Sequence, residues 1–390
     1  MRDYRAVAVA FVSFAAFTDL VAYSIAVPVL PDLSRRFGAS PTTIGLLFAS
    51  FGVTLLGVSV PIGSVSDRIG RKAPLVGGMI VLAGSTVLFA FADSLAWLFA
   101  ARLAQGAADA VTWVVGFALI ADLYGPAERG RVMGFVMSGT SLGLMIGPSL
   151  GGWLYETGGM KLPFLAVAGL AVAATIGFAW LRLPSVHAER DAVPLGQLLR
   201  VPAVATCALT VVVAASTAAM LEPAVSLWLS ADLALNPARI GIVFGVAAVS
   251  ATALHPVFGR FADRYGGRRL TMIGLMLTAL LMPVVSRATS FESAVALYLL
   301  LGSAIALVVT PSLAFMAEAT SAAGVTSFGV SYGVYNFAWG VGLLSGPAIG
   351  GFLFERLGFT RLTLVWMPLV LATTILLALK ADAPIARVSR

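Results

Sequence analysis

One cysteine, Cys207, and two distant histidines, His187 and His255, are all the soft metal-ligand chemistry this chain holds. A lone cysteine excludes an intrachain disulfide and any cysteine-built metal cage, and two separated histidines leave no metal site. Charge is scarce too: charged residues make up 11% of the 390, where a soluble domain carries about a quarter. No nucleophile–base pair is visible, and the glycine-rich stretches lack the strand–turn–helix setting of a phosphate loop. Enzyme chemistry is therefore unsupported and no cofactor is expected. An Asn-x-Ser/Thr sequon and long loops between apolar runs are also missing, which suits a bacterial cell membrane. The first apolar run has no small-residue cleavage site, so it reads as a retained span and not a signal peptide.

What the chain has in abundance is apolar surface: 59% of residues are hydrophobic and the mean hydropathy is +0.96. A membrane crossing takes about 20 such residues. The pattern predicts twelve spans, at 6–30, 42–64, 73–92, 95–122, 131–155, 162–182, 200–229, 237–258, 270–287, 291–317, 325–354 and 360–380. The expected fold class is an all-α membrane protein of twelve transmembrane helices. With both termini cytoplasmic, 17 of the 25 Lys and Arg lie inside, among them Arg2, Arg5, Arg68, Arg71, Lys72, Arg129, Arg131, Arg182, Arg190, Arg200, Arg387 and Arg390, and the eight on the outer side include Arg102. That bias follows the positive-inside rule. The net charge of +7 is thus topological, nucleic acid is not a partner, and a single chain in the lipid bilayer is sufficient.

The longest polar interruption runs from Leu183 to Leu199 and includes His187, Glu189, Arg190 and Asp191. It divides the spans six and six, giving an N-terminal bundle (1–183), a cytoplasmic linker (184–199) and a C-terminal bundle (200–390). Internal repeats carry the division further. Gly63-Ser-Val-Ser-Asp67-Arg68-Ile-Gly70-Arg71-Lys72 follows span 2, and Gly259-Arg-Phe-Ala-Asp263-Arg264-Tyr-Gly266 follows span 8, with Asp67 and Asp263 offset by 263 − 67 = 196. Span 5 carries Gly143-x-x-x-Gly147-Pro148-x-x-Gly151-Gly152, and span 11 repeats it as Gly342-x-x-x-Gly346-Pro347-x-x-Gly350-Gly351, offset by 347 − 148 = 199. The chain reads as a duplicated six-helix unit, two pseudo-symmetric halves.

These residues resemble the major facilitator superfamily, whose best-known signature is the Gly-x-x-x-Asp-Arg-x-Gly-Arg-Lys loop. The span-5 run resembles the mark of its proton-coupled drug antiporters, and Arg102-Leu-Ala-Gln105-Gly106 is a third match. On physical grounds Gly63 and Gly70 let helix ends turn tightly. Asp67 meets a helix N-terminus, and Arg71 and Lys72 pair with acids or lipid phosphates. The loop is then either a charged turn that fixes topology or, as the resemblance implies, a latch on the cytoplasmic side. The glycines of span 5 permit close helix approach, with Pro148 bending the backbone.

Four carboxylates fall away from the simplest helix-end positions: Asp19, Asp109, Glu222 and Glu318. An acid at bilayer depth costs about 2.5–3.5 kcal/mol on insertion scales, so each is expected to face protein or a wet cavity. Asp109 is taken to stand about two turns into span 4, pairing with Arg102 or lining the cavity. Pro223 loosens the helix beside Glu222. Glu318 has Asp122 as its repeat mate (318 − 196 = 122); Asp122 is expected to pair with Arg71 or Lys72, and Glu318 with Arg264 or Arg268. Asp19 has the alternative of a structural hydrogen-bond acceptor within the bundle. Leu-Glu222-Pro-Ala…Trp228 and the nine-residue spacing from Asp19 to Pro28 resemble the vesicular monoamine and acetylcholine transporters, as does Glu318 seven residues after Pro311. The chain departs from that family at Phe51 and Asn336, where the family places a lysine and an aspartate that look like an ion pair; both positions are neutral here.

Aromatic side chains complete the expected site: Tyr23 one turn after Asp19, then Tyr332, Tyr335, Asn336 and Trp339 in span 11, and Trp228. Carboxylates beside aromatic faces suit a lipophilic cation, although aromatics also pack cores and interfacial belts. The sequence thus points to a proton-coupled antiporter that exports organic cations or amphipathic drugs by alternating access, from a cavity lined by spans 1, 4, 7 and 11. The alternatives are a carrier of neutral or anionic solutes, in which the acids serve protons alone, and a non-transporting membrane sensor.

Overall fold

Proline and glycine cut the apolar runs into helices. In the computed structural model, which describes residues 2–181, 195–322 and 328–379, every regular element is helical. The elements are α1 (Arg2–Ser24), a 3-10 turn (Val27–Val29), α2 (Leu30–Phe37), α3 (Pro41–Ile69), α4 (Lys72–Ala90), α5 (Leu95–Leu123) and α6 (Pro126–Gly158). They continue with α7 (Lys161–Trp180), the short α8 (Leu195–Leu198), α9 (Pro202–Asp232), α10 (Pro237–Tyr265), α11 (Gly267–Val285), α12 (Phe291–Ala322) and α13 (Phe328–Leu379). Among the described residues eleven helical stretches are long and apolar enough to cross a membrane. The last, α13, holds two crossings, because Gly358 breaks it with φ 73° and ψ 172°. The positions assigned to Arg182, His187, Glu189, Arg190, Asp191, Arg387, Arg390 and most of the 184–199 linker lie outside the described residues.

Span 1 differs from the single run expected over 6–30. The helix stops at Ser24, makes the 3-10 turn and resumes at Leu30, because Pro28 and Pro31 have no N–H to donate to the ladder. Span 2 runs five residues beyond its expected end, to Ile69. Ser40 starts it as an N-cap, its hydroxyl accepting from the Thr43 N–H at 3.3 Å with Pro41 next in line. Gly63, expected to turn a helix end, therefore lies inside α3, and a Cβ there would meet only Val114 at an ordinary 3.5 Å. The turning is done by Gly70, φ 87°, and by its repeat mate Gly266, φ 88°, a region an L side chain occupies only under strain.

Contacts divide the described chain into two compact units: 2–181 with 229–245, and 195–228 with 246–322 and 328–379. In the first, α1 packs on α6, α3 on α5, and α4 on α7. In the second, α11 packs on α12 and α13. The two glycine–proline runs play one role in both units. A Cβ on Gly143 would stand 2.6 Å from the Phe17 carbonyl of α1, and a Cβ on Gly346 2.7 Å from the Ser216 Cα of α9. Lipid offers no hydrophobic drive between helices, so small residues that let backbones touch supply the dispersion holding each pair. On its other side α6 meets the start of α10 within the first unit, with Ser149 Oγ donating to the Gly241 carbonyl at 3.1 Å.

Candidate substrate and proton site

The first unit buries two acids against each other. Asp19 on α1 is 1% exposed and Asp109 on α5 is 5% exposed, and their carboxyls lie within hydrogen-bonding reach. Asp109 is the midpoint of α5, deeper than the two turns expected. Among the described residues it meets Asp19 and Trp113, whose indole Nε1 donates to Oδ1 at 3.0 Å. Trp113 in turn stacks on Phe117, ring centres 5.3 Å apart and 5° from parallel. Thr112, one residue before Trp113, reaches Asp19. Asp19 Oδ2 is buried without a hydrogen-bond donor among the described residues. Two carboxylates about 4 Å apart repel by about 4 kcal/mol at an effective dielectric of 20, and an acceptor without a donor adds a desolvation cost of about 1–3 kcal/mol. Together the two acids form a place that lacks positive charge.

Arg102 takes a different position from the one expected. Counted among the outer-flank charges, it is instead 0% exposed. Its guanidinium lies 4.1 Å from the Phe48 ring centre, 5.2 Å from Tyr23 and 5.4 Å from Phe51. Nη1 donates to Gln105 Oε1 at 3.3 Å and to the Tyr23 carbonyl at 3.5 Å. Cation–π attraction of about 2 kcal/mol per desolvated ring offsets much of the burial cost. Tyr23, proposed beside Asp19 for a guest cation, thus gives its ring to Arg102. Phe51, the first departure from the vesicular pattern, is the third wall of that cage.

A second ionic cluster sits at the α3–α4 turn. Arg71 Nε donates to Asp122 Oδ2 at 2.7 Å, and Arg71 Nη1 lies 2.5 Å from Asp67 Oδ1 and 2.6 Å from Ser66 Oγ. Lys72 Nζ caps the Ala179 carbonyl at 2.7 Å, and Arg68 is exposed. The second unit does not repeat the cluster. At the place of Arg71 (71 + 196 = 267) stands Gly267, where a Cβ would lie 2.6 Å from the Pro311 carbonyl, so α11 closes directly on α12. Glu318, expected to pair with Arg264 or Arg268, is exposed and forms no ion pair among the described residues. Arg268 donates to the Leu377 carbonyl instead, while Asp263 and Arg264 are exposed, the latter over the Tyr265 ring at 5.3 Å.

The remaining candidates belong to the second unit. Glu222 is half-buried, and its charge is felt by the phenol of Tyr298 on α12. Trp228 stacks on Phe359 at 4.7 Å. Trp339 stacks on Tyr335 at 6.1 Å, and the Tyr335 hydroxyl donates to the Val309 carbonyl at 3.2 Å, which ties both rings into the core. Tyr332 and Asn336 are half-buried on the same helix. Trp113, Thr112 and Tyr298 escaped the sequence reading. Trp113 was within reach of it, since it stands four residues after Asp109 on one helical face.

A duplicated helical bundle with paired acids at span depth and matching glycine–proline runs defines a membrane transporter. The family model of the Major Facilitator Superfamily matches residues 12–218 and 207–390, and the chain belongs to that family. Among curated proteins it is 30% identical to the human synaptic vesicular amine transporter, over 81% of this chain and 62% of that protein. It is equally 30% identical to the zebrafish probable vesicular acetylcholine transporter-B, over 90% of this chain and 75% of that one. The chain spans about 62–65% of the length of the amine transporters it matches from human, rat, cow and mouse. Among solved structures, an inward-facing, occupied bacterial homologue of the human lysosomal transporter Spinster superposes with a TM-score of 0.80 at 15% identity, covering 96% of this chain and 97% of that one. The human organic anion transporter MFSD10 superposes with a TM-score of 0.70 at 20% identity, over 96% and 99%. These likenesses carry the two-halved transporter fold.

Proposed function

We propose that this protein is a proton-coupled antiporter that exports organic cations or amines, with Asp19 as the carboxyl at which proton and substrate are exchanged and Glu222 as a second acid of the cycle. The observation that carries the reading is the buried Asp19–Asp109 contact, in which Asp19 Oδ2 has no donor among the described residues. A site short of positive charge is occupied by a proton or by an ammonium ion, and each displaces the other. Inward proton flow then drives outward substrate movement as the transporter alternates its access. Supporting it are the similarity to amine and acetylcholine transporters and the glycine–proline run, which resembles the antiporter mark. Outward direction and a cell-membrane location are part of the proposal.

The test is accumulation of labelled organic ammonium ions in reconstituted vesicles with an imposed pH gradient. Wild-type protein is expected to concentrate the label on the acidic side, and neutral or anionic solutes to leave it undisturbed. Asp19→Asn and Glu222→Gln are each expected to abolish gradient-driven accumulation while still inserting in the membrane. Wild-type rates in both variants would overturn the assignment.

A further inference from the structure

We infer that the Asp19–Asp109 pair is a site for two positive charges, filled by two protons, by one proton and a monoammonium ion, or by a single diammonium ion. This rests on the exchange reading above and adds to it a charge count and a substrate class. Two touching carboxyls, both nine-tenths or more buried, reach neutrality only with a total of two positive charges beside them. Among the described residues of the first unit nothing supplies either. Trp113 gives Asp109 a neutral indole N–H, Thr112 is a neutral hydroxyl, and Asp19 Oδ2 receives no donor among the described residues.

Within the described first unit, the helices packed around the pair bring no hidden counter-charge. α1 packs on α4, α5, α6 and α7, and α5 also packs on α3. Away from their ends, α3 has no charged residue before Asp67, α4 none after Lys72, α6 none between Arg131 and Glu156, and α7 none after Lys161. On α5 the single interior cation is Arg102, and its guanidinium is held by Phe48, Tyr23, Phe51 and Gln105. The vacant double charge is therefore a property of the two acids alone. A short alkane with an ammonium at each end satisfies it in one molecule and releases two protons. A monoammonium ion of the same chain length leaves one proton in place and releases one.

The experiment counts protons moved per substrate by the wild-type protein in weakly buffered vesicles carrying a pH indicator, with n-propylamine and α,ω-diaminopropane as probes. The expected result is one more proton per diamine than per monoamine. An equal count for the two amines, or transport of the monoamine with exclusion of the diamine, overturns the two-charge site and leaves the exchange reading standing. No proton movement with either amine overturns the exchange reading itself. Asp109→Asn removes one of the two acids and is expected to lower the diamine-to-monoamine rate ratio at least about tenfold, equivalent to about 1.4 kcal/mol. An unchanged ratio in a variant that inserts normally overturns the role of Asp109. Should that variant fail to insert, the wild-type proton count decides alone.

Discussion

Arg71 holds two acids of very different exposure, and that difference can be measured. The Asp122 side chain is 3% exposed and the Arg71 side chain 5%, while Asp67 is 42% exposed. Removing one partner of a buried ion pair strands the other and costs about 3–5 kcal/mol. Asp122→Asn is expected near the lower end, about 3 kcal/mol, because Asp67 and Ser66 still face the guanidinium. Asp67→Asn breaks a contact that water already screens and is expected to cost at most about 1 kcal/mol. The assay is unfolding in mixed micelles titrated with a denaturing detergent, followed by tryptophan fluorescence. Pairing Asp122→Asn with Arg71→Gln should cost less than the sum of the two single changes, by about 0.5–3 kcal/mol, since the neutral pair leaves no orphan charge. Equal costs at positions 67 and 122, or strict additivity in the double variant, would refute the claim that the cluster is anchored from α5.

Gly346→Ala is expected to force α13 off α9, because the nearest obstacles are backbone atoms of Ser216. The overpacking cost is about 1–3 kcal/mol, read as a lower melting temperature in detergent, and a neutral outcome would mean that the helices are not in contact there. Trp113→Phe deletes the 3.0 Å donor to Asp109 and keeps the aromatic surface against Phe117. It is expected to shift the pH at which gradient-driven transport is half-maximal, whereas a purely structural tryptophan would lower stability and leave that midpoint unmoved.

The duplication was legible in the sequence because turns and close helix contacts demand particular residue types. Gly70 and Gly266 stand at matching left-handed turns, and the Gly143 and Gly342 runs repeat because α6 and α13 each lie directly on a partner helix. The depth of Asp19 was legible from the apolar run around it. The sites of side-chain meeting were harder to read. The Arg102 cage draws Tyr23 from α1 and Phe48 and Phe51 from α3, so nothing local to α5 announces it, and a basic residue near a helix start was counted as a flank. The pairing expected for Glu318 follows the repeat from Asp122, but the repeat breaks where the second copy has Gly267 and the first has Arg71. The break in span 1 is hidden by its apolar composition, because Pro28 and Pro31 remove N–H groups from the ladder without lowering hydropathy.

The break in α13 leaves its two crossings joined by one glycine, with Trp228 and Phe354 pressed on the very next residue, Phe359. Such an elbow has no slack. The crossings on either side meet at this corner, and a tag or cleavage sequence spliced in there would lever Phe359 out of its aromatic seat instead of hanging harmlessly in water.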